Sequence, residues 1–274
     1  MASRVSELIV LIRGGGEMAS GIAHRLRCCH MNVIITEIAA PTAVRRTVAF
    51  AEAVYDGAQT IEGVIARRAD SLPEIRSAWQ RGEIPVVVDA EAAIRAEIDP
   101  AVIVDAIMAK KNCGTNIDDA GLVIGVGPGF RAGVNVHAVV ESNRGYHLGR
   151  VIWHGEAEPD TGVPAPVAGH AQARVLRAPR SGIFHAQRAI GDVVERGEVV
   201  GTVEGAAIPA GIGGLIRGML RSGVSVRAGM KAGDIDPRLE RGYCYEISDK
   251  ARAIGGGVLE AILGASIDLR FATD

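Results

Sequence analysis

The stretch Leu8-Ile9-Val10-Leu11-Ile12-Arg13-Gly14-Gly15-Gly16-Glu17-Met18-Ala19-Ser20-Gly21 decides how the chain is read. A continuous run of β-formers, as a strand buried on both faces carries, leads straight into three glycines. Residues 17–30 then place Met18, Ile22, Leu26 and Cys29 on one side of a helix. Strand, glycine turn and helix in that order are the context a dinucleotide fingerprint requires. Gly14 permits the tight turn, Gly16 lets the backbone approach a pyrophosphate, and Ala19 is small enough for helix to pack on strand. Gly15, Met18 and Ser20 complete the candidate cradle, whose free N–H groups at a helix start would meet the phosphates. Glu37 ends the next apolar run, Val33-Ile34-Ile35-Thr36, at the position where an acid bonds a ribose hydroxyl. It disfavours a 2′-phosphate there, although Arg45 and Arg46 could reach one if they do not simply face solvent. Glu17 adds negative charge beside the phosphates, and the same residues also suit a βα turn that binds nothing.

Working outward, Ser71 with Glu74 reads as a capping box for a helix through Trp79. Residues 85–89, 102–107 and 122–126 are further buried strands. Strands alternating with helices imply a parallel sheet with right-handed crossovers, here a Rossmann-like one of about five strands. After Phe130 the pattern changes. Residues 134–141 and 148–153 flank Ser142-Asn143-Arg144-Gly145, a hairpin signal, and residues 158–166 are a proline-dense linker. From 177 to 237 short strands are broken by glycine, and a pattern around Ile190-Gly191-Asp192-Val193 returns about thirty residues later around Ser222-Gly223-Val224-Ser225. The order resembles the barrel-sandwich hybrid of biotinyl and lipoyl carriers. The junction, residues 203–210, holds no lysine, which argues against a swinging arm. A strand at 243–247 and a helix through Ile262 close the chain. Gly255-Gly256-Gly257 weakens that helix by roughly 1 kcal/mol per residue, and close packing against another backbone is the favoured compensation over a broken, anion-binding helix. The expected organisation is therefore α/β: residues 1–133 Rossmann-like and nucleotide-binding, 134–176 hairpin and linker, 177–238 a barrel-sandwich-like β domain, 239–274 a C-terminal strand and helix.

Composition narrows the function. Thirty Lys and Arg against 32 Asp and Glu give a net charge of -2 over 274 residues, without the basic excess of a general nucleic-acid binder. Hydrophobic residues make up 48%, enough for a core. Four cysteines show neither a disulfide framework nor paired zinc spacing. The first apolar run is too short for a signal peptide, and the longest uncharged stretch, 205–216, is too glycine-rich for a membrane span. The expectation is a cytoplasmic protein acting without nucleic acid or membrane.

Other constellations are weaker. Lys110, Lys111, Asn112 and Cys113 follow the 102–107 strand and precede Thr115-Asn116-Ile117-Asp118-Asp119. Ligands of open parallel sheets bind outside the strands' carboxyl ends, so two cations there suit an anion, while the carboxylates could take a divalent ion or act as bases. Beside those cations Cys113 could be partly thiolate, and a polar surface loop fits equally. Gly125-Val126-Gly127-Pro128-Gly129 suits a second phosphate loop or a tight exit turn. Asp234-Ile235-Asp236-Pro237-Arg238 reads mainly as turn chemistry. The histidines lack any metal-ligand spacing, no G-x-S-x-G elbow occurs, and neither a metal ligand set nor a catalytic residue is assigned.

Taken together, the opening stretch with Thr36-Glu37-Ile38, Ala43-Val44-Arg45-Arg46-Thr47-Val48, Ala109-Lys110-Lys111-Asn112, Val126-Gly127-Pro128-Gly129-Phe130, Gly233-Asp234-Ile235-Asp236-Pro237-Arg238 and residues 248–260 resembles the YqeB-type accessory proteins of selenium-dependent molybdenum hydroxylase systems. The resemblance runs from about Ile9 to Leu263 and extends in role to accessory proteins of xanthine dehydrogenase. It implies a cytoplasmic maturation factor acting near the molybdopterin cofactor, with a molybdenum hydroxylase or its maturation machinery as partner; the glycine turn adds NAD or a molybdopterin dinucleotide as the expected ligand, since both present a pyrophosphate to its amides. A homo-oligomer is compatible with this. Two other readings are a NAD-dependent oxidoreductase of a small metabolite, with acid–base groups from the 110–119 loop, and a non-catalytic scaffold.

Overall fold

The computed structural model describes residues 5–268, which divide into two compact units. The first takes in residues up to 39, 50–160 and from 247 onward; the second is built from 40–49 and 161–246. The outer ends of the 1–133 and 239–274 segments lie outside the described residues.

In the first unit the order is β1 (Ile9–Arg13), α1 (Glu17–Cys28), β2 (Asn32–Glu37), α2 (Ala53–Asp56), β3 (Ala58–Ile61), β4 (Val64–Arg68), α3 (Leu72–Gln80), β5 (Ile84–Val88), α4 (Arg95–Ile98), β6 (Val102–Asp105), β7 (Leu122–Val126), β8 (Arg131–Ala132), β9 (Ala138–Val140), β10 (Val151–Ile152) and β11 (Gly155–Glu156). Nine of these strands form one sheet in the order β10-β9-β7-β6-β1-β2-β5-β4-β3. Neighbours are parallel except for the edge pairs β3–β4 and β9–β10. The strand order reverses beside β1, with β2 on one side and β6 on the other, so the switch point falls where Arg13 and Gly14 leave the sheet. Val10, Leu11, Ile12, Val33, Ile34 and Ile35 are fully buried, as continuous apolar strands covered on both faces require.

The parallel run is longer than the five strands expected, because β4 and β9 join it. Glu62 and Gly63 both take positive φ, 45° and 83°, which closes β3 onto β4 through a two-residue turn. A strand ending in Arg67-Arg68 gave little apolar signal. The 134–153 hairpin forms, but its paired strands are shorter than read and extend the main sheet rather than standing apart. Ser71 does not cap α3 with its side chain; Glu74 reaches back instead to the N–H of Asp70, 2.6 Å away.

The last helix, α5 (Asp249–Asp268), runs unbroken through its three glycines. Gly21 of α1 admits Ala251, and Gly255 lies against the Gly21 carbonyl. A β-carbon on Gly257 would collide with the Gly149 carbonyl, whereas one on Gly256 would meet nothing within 4 Å. Packing accounts for two of the three glycines.

The second unit holds β12 (Val175–Arg177), β13 (Gly182–Ala186), β14 (Val193–Val194), β15 (Val199–Val203), β16 (Ala206–Pro209), β17 (Gly214–Met219), β18 (Ser225–Val226) and β19 (Lys231–Asp236). They form two four-stranded sheets, β12-β19-β17-β14 and β16-β15-β13-β18. The repeat seen in the sequence explains the pattern: each half's short strand, β14 or β18, pairs with the long strand of the other half. No strand forms at 243–247. Residues 241–244 are a 3-10 turn, and Arg45 and Thr47 donate to the carbonyls of Tyr243 and Cys244, which a sheet partner would otherwise take.

The glycine seam gives a paired expectation for urea unfolding. Gly257→Ala should cost about 1–3 kcal/mol through overpacking. Gly256→Ala should be neutral or stabilising by up to roughly 1 kcal/mol, since only helix propensity changes.

Candidate functional site at the switch point

Arg13 and Asp105 end neighbouring strands in register, and both are buried. Their charges stand 3.6 Å apart. Thr115 links them, accepting from Arg13 and donating to Asp105 Oδ2 at 2.6 Å. Arg13 also donates to the carbonyl of Cys113 at 3.1 Å, and Asp105 accepts the N–H of Ile107 at the same distance. Asn112 holds the loop shut from within, donating to the Thr115 carbonyl and accepting its N–H. These bonds fix the β6–β7 loop against the start of the glycine turn.

The turn is packed from below. Gly14 has φ +91°, and a β-carbon there would lie 3.0 Å from Ile107 Cα. One on Gly15 would lie 2.9 Å from the backbone nitrogen of Ala51, whose N–H bonds the Gly15 carbonyl. Gly16 is different: a β-carbon would meet nothing within 4 Å. Gly14 N–H goes to the Thr36 carbonyl, and Gly15 N–H goes to Glu37 Oε2 at 2.8 Å. The N–H groups of Gly16 and Met18 have no acceptor among the described residues, and α1 has no side-chain cap. Buried Ser20 is committed to the scaffold, donating to the Gly15 carbonyl and accepting the Phe50 N–H. Ala19 is buried in the packing of α1.

Glu37 therefore sits at the turn, as its position implied. Its carboxylate spans the N–H groups of Gly15 and Ile38. Burial lifts this acid above its ordinary range, and those two donors only partly offset the rise.

On the other side Lys110 stands with φ +64° and its ammonium 3.6 Å from Asp160. The exposed Lys111 is held by its backbone, because Gly129 leaves no room for a β-carbon against Lys111 Cα. That contact makes the 127–129 loop an exit turn. Cys113 contributes its carbonyl to Arg13, while its thiol points to the Lys111 carbonyl at 3.7 Å. Asp119 caps its own turn at Asn116 and pairs with Arg95, so it is not a base directed at the crevice. Arg45 and Arg46 belong to the second unit, bonded to carbonyls of Tyr243, Glu246 and Met219. His137 is half-buried and accepts the Val123 N–H; loss of water at that site holds it below its usual range. Among the described residues no group of three or more His, Cys, Asp or Glu side chains could hold a metal ion.

Lys250, in the first turn of α5, was not singled out by the sequence reading. It is half-buried and within electrostatic range of Lys110, Arg144, Glu17 and Glu141. Loss of water, then Lys110 and Arg144, depress its basicity, and the two acids oppose them. No ion pair or hydrogen bond holds its ammonium among the described residues, whereas Arg144 is paired with Asp249 at 2.7 Å. Only the fold reveals Lys250 here, because α1 and α5 lie far apart in sequence.

Two open amides at a helix start, with Lys250 within electrostatic range of Glu17 in the same turn, suit an anion. Comparison with known proteins adds the relationship. Over 255 residues, 93% of the chain, it is 49% identical to the uncharacterized protein YqeB of Escherichia coli (strain K12). That match supports the YqeB family. The chain spans about half the length of YqeB, 47% of it. No protein-family model matches. Among solved structures the chain is similar to an aspartoacylase family protein from Mesorhizobium loti, 10% identical with TM-score 0.27, covering 84% of this chain and 85% of that one. The product-bound ectoine utilization protein EutE from Ruegeria pomeroyi is 11% identical with TM-score 0.24, covering 82% and 56%. TcdA (CsdL) is 10% identical with TM-score 0.34, covering 96% and 89%. Superpositions this loose say nothing further of the chain. No helix among the described residues is long and apolar enough to cross a membrane.

The raised pKa of Glu37 sets a pH signature. Between the unfolded value of 4.5 and its higher folded value the native state holds the extra proton, so this group's contribution to stability falls as pH rises through that window. Urea midpoints measured across mildly acidic pH should show Glu37→Gln losing that fall relative to the parent. Parallel curves would remove the assigned burial cost.

Proposed function

We propose that the first unit binds a dinucleotide or pterin-dinucleotide ligand, and that the protein serves as a maturation factor for a molybdenum hydroxylase. The observation that carries the ligand class is the start of α1. The amides of Gly16 and Met18 lack acceptors, a β-carbon on Gly16 would meet nothing within 4 Å, and Lys250, whose ammonium no ion pair holds among the described residues, lies within electrostatic range of Glu17 in the same turn. A diphosphate supplies the acceptors and the negative charge together, at the end of a helix whose dipole favours it. Glu37 would hold a ribose hydroxyl while keeping its bond to Gly15. Lys111 and the closed Gly14 and Gly15 turn would shape the cradle rather than supply donors, while Met18 would donate its N–H beside that of Gly16. Ser20 and Asn112 act from behind, one tying Gly15 to Phe50 and the other fixing the loop that carries Lys110.

The hydroxylase role rests on the resemblance to YqeB-type accessory proteins, and the β unit, read as a barrel-sandwich hybrid, is the partner-facing half of that reading. NAD and a molybdopterin dinucleotide both present a pyrophosphate to the same amides. Native mass spectrometry of freshly purified protein would show which is retained.

Gly16→Asp makes a sharp test. An Asp at that position is a good helix cap, so the variant should fold as well as the parent while its own carboxylate satisfies the amides and repels a phosphate. Calorimetry with NAD should lose binding in Gly16→Asp and weaken about tenfold in Lys250→Gln, the scale of one charge-assisted contact. Parent-like binding in Gly16→Asp would remove the pyrophosphate assignment.

A further inference from the structure

The second unit gathers cations around two buried acids. Asp234 and Asp236 lie side by side on one face of β19, each 2% exposed. The segment read as turn chemistry is thus a buried acid pair within a strand. Asp234 faces Arg174 at 3.1 Å, Lys231 at 3.5 Å and Arg217 at 3.8 Å; Asp236 faces Arg238 at 2.6 Å and Arg217 at 3.6 Å. Arg45 adds its charge and donates to the carbonyls of Tyr243 and Glu246. Burial raises both acids, but the cations around them outweigh it and keep them ionised. Arg174, Arg217 and Lys231 thus converge on Asp234.

Arg217 is the anomaly. The β17–β19 register slips between Ile216 and Gly218, which makes Arg217 the extra residue of a bulge, a device that re-aims a side chain. Gly218 leaves room for Asp234 and Val44 to close in beside it. The Arg217 side chain is only 14% exposed, yet it has charge partners at 3.6 and 3.8 Å and no hydrogen bond from any of its donors to a described residue. Arg174 also has a buried Nε without an acceptor. Leaving the buried Nε of Arg217 without an acceptor is costly, and neighbouring cations add to the cost. Lys231 and Arg238 are each 42% exposed, so the cluster opens to solvent on their side.

We propose that Arg217, Arg174 and Lys231 form a second anion site, in the β unit, for a phosphate group whose oxygens supply the acceptors Arg217 lacks. Two guanidinium groups and an ammonium together suit the several oxygens of a phosphate. Free phosphate and a phosphate monoester present the same oxygens.

The test uses the full chain carrying Gly16→Asp, so that the α1 site does not respond. Calorimetry and thermal unfolding are run with inorganic phosphate and with glycerol phosphate, against chloride at matched ionic strength. One phosphate should bind per chain, and adding Arg217→Gln should weaken it about tenfold or more, as loss of a bidentate charge-assisted contact does. Without phosphate, Arg217→Gln should unfold somewhat earlier than its parent, because Arg217 is one of the cations that keep Asp234 and Asp236 ionised. Tighter binding of glycerol phosphate would identify an ester as the ligand, and equal or weaker binding would identify the free ion. The proposal is overturned if phosphate adds nothing beyond chloride, or if Arg217→Gln binds it as the parent does.

Discussion

The buried pair of Arg13 and Asp105 is the constraint on which the first unit's site depends. Two parallel strands that part at a switch point leave their carboxyl ends without a common partner, and here an ion pair bridged by Thr115 supplies one. Removing either member would strand the other charge, a loss of about 3–5 kcal/mol in buried pairs. The pair also sets geometry. Arg13 precedes Gly14 directly, and Asp105 fixes the N–H of Ile107, whose Cα sits where a Gly14 side chain would be.

A consequence is that the glycine turn divides its labour. Gly14 and Gly15 are glycines because backbone from residues 51 and 107 presses on them, and their amides are spent on Thr36 and Glu37. Gly16 is glycine without any neighbour to demand it. The packing explanation that covers the first two positions fails at the third, and that contrast makes the third informative. The same comparison along α5 gives a caution: Gly256 also has open space, but it lies inside a helix whose amides are already bonded.

Much of this was legible in the residues. Continuous apolar runs gave β1, β2, β5, β6 and β7, and the strand–glycine–helix order gave α1 close to its observed limits. Strands with charged ends, such as β4, were missed because burial on one side of a sheet edge leaves a weak apolar signature. The 243–247 strand was over-read: its alternating aromatics look extended, but Arg45 and Thr47 claim its carbonyls. At the site, Glu37 was placed by spacing from the glycines. Arg13 and Asp105 carried a signal that went unused, each being a charge closing an otherwise apolar strand. Lys250 and Arg217 carried none. One is brought in by a helix more than two hundred residues downstream, and the other is aimed by a bulge that no local pattern announces.

The seam between α1 and α5 also bears on the order in which the molecule can be made. Gly21 offers α1 a face that only Ala251 and Gly255 cover, and those residues are synthesised after all of the second unit. On a translating ribosome the β unit can finish folding while α1 still waits for its partner. The nascent first unit keeps that groove uncovered until residues 249–268 emerge.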